Sequence, residues 1–171
     1  KGVTVPEDLK GMKIRSASSE TRVGMMEAMG ATVTQMNWSE VYSALQQGVC
    51  EGCEAPLSTL YSSKIYEVCK NITLTDHIMA IWSVNMSNDY FNTLPEEYQQ
   101  ILVEEIANMA PTTIERVTAD ESDFRSKLEA EGVTFYDCDR EAFVEATRSV
   151  YDSISNWSDG LYETVSAIIN G

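Results

Sequence analysis

The sequence predicts an α/β fold in which helices cover a parallel or mixed sheet. Short segments that alternate apolar and polar residues recur along residues 1–76, and segments with helical periodicity separate them. Glycine or proline stands at most of the boundaries. Strands separated by helices of about ten residues are typical of α/β sheets, which gives the fold class.

The first predicted elements surround a conspicuous arginine. Residues 1–10 predict an entry strand and a turn at Pro6. Residues 12–15 then alternate apolar and basic side chains, which indicates a short strand. If the apolar side chains face the core, Arg15 turns to the opposite face at the C-terminal end of the strand.

A helix is predicted directly after this strand. Ser18 or Ser19 is suited to cap its N-terminus, and Gly30 is suited to end it. The face expected to be buried contains Val23, Met26 and Met29.

Further strand and helix pairs follow. Residues 31–34 alternate as a second strand, and Ser39 is expected to cap a helix over residues 40–47. The segment "VCEGCEAP" predicts a third short extended piece, with Pro56 opening the next helix. The segment "NITLT" alternates again and predicts another strand.

The second half predicts longer elements. Residues 77–86 alternate as a long, buried strand. Residues 95–132 contain no interior helix breaker except Pro111, which predicts one long helix, kinked near Met109 and Ala110. At about 1.5 Å per residue this helix exceeds one small domain and is expected to tie two lobes together. The segment "VTFYD" and amphipathic segments over 139–155 and 157–169 predict a strand and two closing helices.

The net charge limits the classes of molecule that the chain is expected to bind. The chain has 12 basic and 27 acidic residues, a net charge of -15. Such a surface repels phosphate backbones and anionic lipid headgroups, so no nucleic acid partner is expected. No apolar run reaches the roughly 18 residues of a membrane helix. The sequence shows no signal peptide or starting Met, so Lys1 is expected to begin a mature chain or a fragment.

No enzyme or cofactor is predicted, although a cysteine site stays open as an alternative. The single histidine, His77, has no serine and acid arrangement beside it in the sequence, and no phosphate loop is present. In "CEGC", Cys50 and Cys53 lie on a predicted extended piece, about 10 Å apart at their Cα atoms. A redox pair prefers a helix N-terminus, and structural zinc prefers two close pairs. A metal or redox site and an acidic interaction module without a small ligand remain as alternatives.

Four segments together carry a family resemblance: "TVPEDLKGMKIRSASS", "MGATVTQMNWSEVYSALQQGVCEGCEAP", "SKIYEVCKNITLTDH" and "NDYFNTLPEEYQQIL". Their ordered combination resembles the extracytoplasmic solute-binding proteins of TRAP transporters, the DctP type. The resemblance runs from about Val3 to the end of the chain. It implies a periplasmic-binding-protein-like, type II-like fold of two α/β lobes with the ligand in the cleft between them.

The chain is too short for both lobes, so the resemblance implies that the N-terminal half of the usual fold is missing. Residues 1–76 would be a ligand-binding segment of the second lobe, and residues 77–94 a crossing strand and connection. Residues 95–132 would be the long inter-lobe helix. Residues 133–171 would supply a strand and C-terminal helices that complete the first lobe.

The resemblance also implies a function. The chain would belong to a periplasmic or otherwise extracytoplasmic protein, secreted or lipid-anchored, that captures a small organic acid such as a dicarboxylate. It would deliver this ligand to the membrane permease subunits of a TRAP transporter. Faces left bare by the missing half would favour self-association of the shortened chain.

Four positions are implied as ligand-binding residues. Arg15 matches the family's carboxylate-pairing arginine, and its planar guanidinium can donate two parallel hydrogen bonds. Trp38 matches an aromatic position beside the ligand, although ordinary core packing before a helix is an alternative role. Ala55 stands where many members carry a polar residue, often asparagine, so the pocket is expected to be roomier and less polar there. Ser18 can donate through its hydroxyl, although helix capping is an alternative role.

A disulfide is expected from the extracytoplasmic setting that the resemblance implies. The chain returns through "YSSKIYEVC" toward the strand that carries Cys53, which favours a Cys53–Cys69 bond. Cys50 and Cys138 would then stay free.

Overall fold

Three parallel strands form the first sheet in the computed structural model, which describes residues 2–78, 83–155 and 157–170, without the side chains of Ala110 and Asn170. Strand β1 (Lys13–Ser16) is central, between β2 (Thr32–Gln35) and β3 (Gly52–Cys53). Both pairings are parallel. The predicted strand that carries Arg15 is therefore the middle strand of its sheet.

The central position of β1 changes which of its side chains are buried. Lys13 is exposed, whereas Ile14, Arg15 and Ser16 are all buried. The sequence predicts one covered and one open face, but a central strand of a parallel sheet is covered on both faces. The Arg15 side chain is therefore enclosed by protein.

The two helices that connect these strands begin close to the predicted positions. Helix α1 spans Glu20–Ala28 after Ser19, although no side-chain capping bond forms there. Helix α2 spans Trp38–Gln46 and is capped by Asn37, not by Ser39, which lies inside the helix. The Glu40 carboxylate accepts a hydrogen bond from the Asn37 N–H at 3.1 Å, the reciprocal arm of a capping box.

The first ten residues correct the predicted entry strand. Residues 2–4 form no strand, and a 3₁₀ turn covers Pro6–Leu9. The Asp8 carboxylate accepts hydrogen bonds from the N–H groups of Thr4 and Val5, which bends the chain into the turn. Helix α3 then spans Leu57–Ser62 directly after Pro56, as predicted.

A second, two-stranded sheet joins distant parts of the chain. Strand β4 (Asn71–Leu74) pairs in parallel with β5 (Thr134–Asp137) along four residues of each. All strand pairs among the described residues are parallel, in agreement with the parallel or mixed α/β sheet that the sequence predicts.

The long predicted helix is present as α5, Glu96–Ala130, which continues through Pro111. A short helix, α4 (Asn88–Phe91), precedes it. The predicted strand over residues 77–86 falls partly on residues 79–82, which lie outside the described residues. Its described flanks form no strand, and Val84 and Met86 are exposed, because no neighbouring strand pairs with them in the described part of the chain.

The C-terminal segment contains three helices instead of two: α6 (Arg140–Thr147), α7 (Val150–Ser153) and α8 (Leu161–Asn170). The Asp139 carboxylate caps α6 by accepting a hydrogen bond from the Ala142 N–H. Among the described residues, no helix combines the length and the apolar character that crossing a bilayer requires.

Two units divide the chain. One unit contains Lys1–Thr75 and Lys127–Gly171, and the other contains Asp76–Ser126. The two segments of the first unit pack with each other. The β4–β5 pairing and a hydrogen bond from the Asp139 N–H to the Thr4 carbonyl oxygen hold them together.

A matched pair of valines tests the first unit's core. Val41 on α2 is 0% exposed and Val144 on α6 is 48% exposed. Val41→Ala should lower the free energy of unfolding by about 2 kcal/mol, because it removes two buried methyl groups and leaves a cavity. Val144→Ala should change it by less than about 0.5 kcal/mol. Urea titration followed by circular dichroism measures both, and equal effects would contradict the burial described here.

Candidate functional site

Arg15 lies at the C-terminal end of the central strand, where parallel sheets commonly bind ligands. Its backbone pairs in register with Thr34 of β2 and Cys53 of β3. The residue is only 6% exposed. A buried guanidinium keeps its charge, so its surroundings must supply hydrogen-bond acceptors.

One edge of the Arg15 guanidinium is occupied by the backbone. Its Nε and Nη2 atoms donate to the Met36 carbonyl oxygen at 3.1 and 2.8 Å. In the described part of the chain, Nη1 donates no hydrogen bond and Arg15 forms no ion pair. The Nη1 side is therefore available to a further acceptor, and a carboxylate or phosphate could receive two N–H groups there.

The guanidinium of Arg15 lies over the ring of Trp38. The Arg15 Cζ atom lies 5.2 Å from the centre of the Trp38 ring, within range of a cation–π interaction. Trp38 is the first residue of α2, and its indole N–H donates to the Ser63 Oγ at 2.9 Å. The structure thus brings together two of the predicted binding residues and adds Ser63 behind them.

Ala55 is half-buried in the segment that follows β3, two residues after Cys53, which pairs with Arg15. Its neighbour Glu54 forms an ion pair with Arg22 of α1 at 3.1 Å. This contact ties the segment after β3 to the helix after β1. Ala55 itself contributes only a methyl group at this edge of the sheet.

Ser18 lies in a different place. It lines an open cleft of about 450 Å³ together with Ser19, Glu20, Glu27 and Gln35, among other residues. Neither Arg15, Trp38 nor Ala55 is among the described residues that line this cleft. The two glutamates make the cleft negative, which disfavours an anion, so the structure does not group Ser18 with the arginine.

The cysteines depart from the predicted pairing. Cys53 and Cys69 are both free thiols, as is Cys50, and the Cys138 thiol donates a hydrogen bond to the Leu74 carbonyl oxygen at 3.4 Å. Burial, followed by the neighbouring Cys69 and Cys50 thiols, raises the pKa of Cys53 to about 12, while the Arg15 charge opposes this rise. Disulfide formation requires a thiolate, so this environment keeps Cys53 in its unreactive thiol form.

No metal centre is evident in residues 2–78, 83–155 and 157–170, where no group of three His, Cys, Asp or Glu side chains is arranged to hold an ion. Cys50 precedes β3 and lies on no helix N-terminus. The geometry of a redox pair or of a zinc site is therefore not found in the part of the chain that the structure describes.

Two residues of the site were not predicted from the sequence. Met36 contributes through its backbone carbonyl, which no side-chain pattern can indicate. Ser63 is 25 positions from Trp38, and nothing in the sequence links the two. The spacing of Asn37 and Glu40 does signal a capping box, and it could have placed Trp38 inside the helix rather than before it.

Comparison with known proteins identifies the family to which the chain is similar. Residues 1–156 match the family described as bacterial extracellular solute-binding protein, family 7 (DctP). A sialic acid-binding periplasmic protein, SiaP of Vibrio cholerae, is 32% identical over 145 residues, which are 85% of this chain and 45% of that protein. The ectoine-binding periplasmic protein TeaA of Halomonas elongata is 35% identical over 129 residues, 75% of this chain and 38% of that protein.

A solved structure shows the same fold. The crystal structure of a TRAP periplasmic solute-binding protein from Fusobacterium nucleatum, with bound sn-glycerol 3-phosphate, superposes with a TM-score of 0.89 at 34% identity. The match covers 99% of this chain and 55% of that one. The chain therefore spans about half the length of the relatives it matches.

The thiol chemistry of Cys53 gives a direct test of its burial. At pH 8 a rise of its pKa from 9.0 to about 12 lowers the thiolate fraction roughly 1000-fold. Iodoacetamide should therefore leave Cys53 unmodified in the native chain and modify it readily in urea. Peptide mass spectrometry measures the modification, and rapid native labelling of Cys53 would contradict the prediction. A Cys53–Cys69 peptide in the unreduced digest would restore the disulfide expected from the sequence.

Proposed function

We propose that this chain, which belongs to the DctP family of bacterial extracellular solute-binding proteins, captures a small organic anion through Arg15. The observation that carries the proposal is the unpaired guanidinium edge. Arg15 is buried in a protein of net charge -15, yet no carboxylate of the described residues pairs with it. An incoming carboxylate would supply the missing acceptor and the missing negative charge.

The ligand class follows from the geometry of Arg15. Because the Met36 carbonyl occupies the Nε edge, a ligand would approach the end of the guanidinium and accept from Nη1 and Nη2. A planar carboxylate fits this pair of donors, and a phosphate can also use it. Ala55 offers no polar contact where many family members carry asparagine, so we propose a ligand less densely hydroxylated than an acidic sugar. A dicarboxylate or a keto acid meets this description.

A binding role suits the arrangement better than a catalytic one. In the part of the chain that the structure describes, the thiol nearest to Arg15 in register is Cys53, and its pKa of about 12 makes it a poor nucleophile. SiaP and TeaA are named for the solutes they bind. We therefore propose that the protein releases its ligand unchanged to the permease subunits of a TRAP transporter, on the outer face of the cytoplasmic membrane.

The second unit has exposed apolar side chains on α5 that carry a further proposal. Residues 76–126 contain ten acidic and two basic residues. Their exposed apolar side chains include Val103, Ile106, Ile114 and Val117, which recur at helical spacing along one side of α5. We propose that a protein of the relatives' length covers this stripe with residues outside the present chain. In the 171-residue chain alone, a second copy would cover it.

The function is tested in the whole protein that contains this segment. Sialic acid, ectoine, sn-glycerol 3-phosphate and simple dicarboxylates serve as probes, and a bound probe should raise the melting temperature by mass action. With the best probe, Arg15→Lys should weaken binding by about 1 to 3 kcal/mol, because the charge stays but the two-pronged geometry is lost. Arg15→Ala should cost more. Titration calorimetry measures both.

Arg116→Ala is the matched control, since Arg116 lies on the exposed face of α5 in the second unit. It should leave the affinity unchanged. Unaltered affinity in both Arg15 variants would show that the guanidinium does not bind the ligand, and the proposed function would fail.

Self-association is tested on the 171-residue chain. Light scattering after size exclusion should show a dimer or a larger species, and added salt should favour it because the acidic residues then repel one another less. Ile114→Glu should shift the chain toward monomer, since it places a charge in the apolar stripe. Thr112→Glu is the control, because two residues turn a helix by about 200° to its other side. A monomer at all concentrations would contradict the proposal.

A further inference from the structure

The orientation of Arg15 depends on residues that would not touch a ligand. Two restraints act on the guanidinium: the Met36 carbonyl oxygen holds its Nε edge, and the Trp38 ring lies against it, with its centre 5.2 Å from the Arg15 Cζ atom. The carbonyl fixes one edge but leaves the plane free to tilt about it. The ring limits that tilt, so the direction in which Nη1 points depends on where the Trp38 ring lies.

The Trp38 ring is itself held by a single polar contact. An indole has one hydrogen-bond donor, and here the Nε1–H donates to the Ser63 Oγ at 2.9 Å. Ser63 follows the last residue of α3, and its own N–H bonds back to the carbonyl oxygens of that helix. Rotation about χ2 of a tryptophan is broad unless a contact selects one orientation. The bond to Ser63 provides that contact and anchors the ring to a second helix.

We infer that Ser63 is a positioning residue, which holds the Trp38 ring so that the Arg15 guanidinium presents its Nη1 and Nη2 atoms in one fixed direction. This inference rests on the proposed function for its consequence in binding, but the relay from Ser63 through Trp38 to Arg15 exists without ligand. A guanidinium ordered in advance loses less side-chain entropy when a carboxylate binds. Ser63 thereby favours planar anions that need two aligned donors.

The relay is tested first in the ligand-free chain, by nuclear magnetic resonance. The Trp38 indole N–H signal is assigned by its loss in Trp38→Phe, and the Arg15 Nε–H signal by its loss in Arg15→Lys. In Ser63→Ala, both N–H groups should exchange with water about fivefold faster, the change expected from losing one hydrogen bond of ordinary strength. Ser63→Thr keeps the hydroxyl and should restore both rates.

Ser62→Ala is the matched control. The Ser62 hydroxyl is exposed and bonds only to the Thr59 carbonyl within its own helix, so its loss should change neither signal. If Ser63→Ala speeds exchange at Trp38 but not at Arg15, Ser63 positions the ring alone, and the inference is overturned.

A second variant keeps the relay testable if Ser63→Ala does not fold. Trp38→Phe keeps an aromatic face but lacks the indole donor. It should therefore speed the exchange of the Arg15 Nε–H with water to the same extent. Adding Ser63→Ala to Trp38→Phe should then have no further effect on Arg15. An additive effect would show that Ser63 acts on Arg15 by a route other than Trp38, and would overturn the relay.

Binding is measured separately in the whole protein, with whichever probe raises its melting temperature. Ser63→Ala should weaken that probe about three- to tenfold, on the scale of ordering one side chain, and Ser62→Ala should not. If Arg15→Ala leaves affinity unchanged while the exchange results hold, the proposed function fails and the relay stands. If Arg15→Ala abolishes binding and Ser63→Ala changes neither exchange nor affinity, the relay fails and the proposed function stands.

Discussion

The buried guanidinium of Arg15 sets the requirements that the surrounding structure has to meet. An unneutralised charge inside a protein costs free energy unless acceptors and polarisable groups surround it. Here a backbone carbonyl and an indole face do this, instead of the carboxylate that usually accompanies a buried arginine. Met36 directly follows β2 and Trp38 begins α2, so the end of one strand and the start of one helix must meet at the end of β1. A parallel sheet with β1 in its centre achieves this.

Burial raises the pKa of the thiols near Arg15 in spite of its positive charge. Cys53 lies beside Arg15 in the sheet register, and the positive charge favours its thiolate, yet burial and two other thiols outweigh that attraction. No thiolate of Cys53 therefore neutralises the charge of Arg15. It remains directed at the one side of the guanidinium where the described residues offer no acceptor.

The order of strands and helices could be predicted from the sequence, because alternation and helical spacing are local patterns and survived in β1, β2, β4, β5 and α5. The failures have local or long-range physical causes. The Asp8 carboxylate accepts a hydrogen bond from the Thr4 N–H, so no entry strand forms there. Helix α2 begins at a capping box on Asn37 instead of at the predicted cap, Ser39. The parallel pairing of β4 with β5 joins the two segments of the first unit. It could not be predicted because it depends on contacts between residues far apart in the sequence. Arg15 was identified through a family resemblance, whereas its partners at Met36 and Ser63 required coordinates.

The pairing of β4 with β5 also governs how the chain acquires its structure. The register joins Asn71 to Thr134 and Leu74 to Asp137, so the sheet closes a loop of chain that contains all residues of the second unit. During synthesis this sheet cannot form until the ribosome has released Asp137, and until then β4 is an unpaired edge that other chains could join. The entropy of closing such a loop rises only with the logarithm of its length, by about 0.6 kcal/mol for each doubling. Insertions and deletions in residues 76–126 are accordingly the changes in length that evolution can make here at least cost to the sheet.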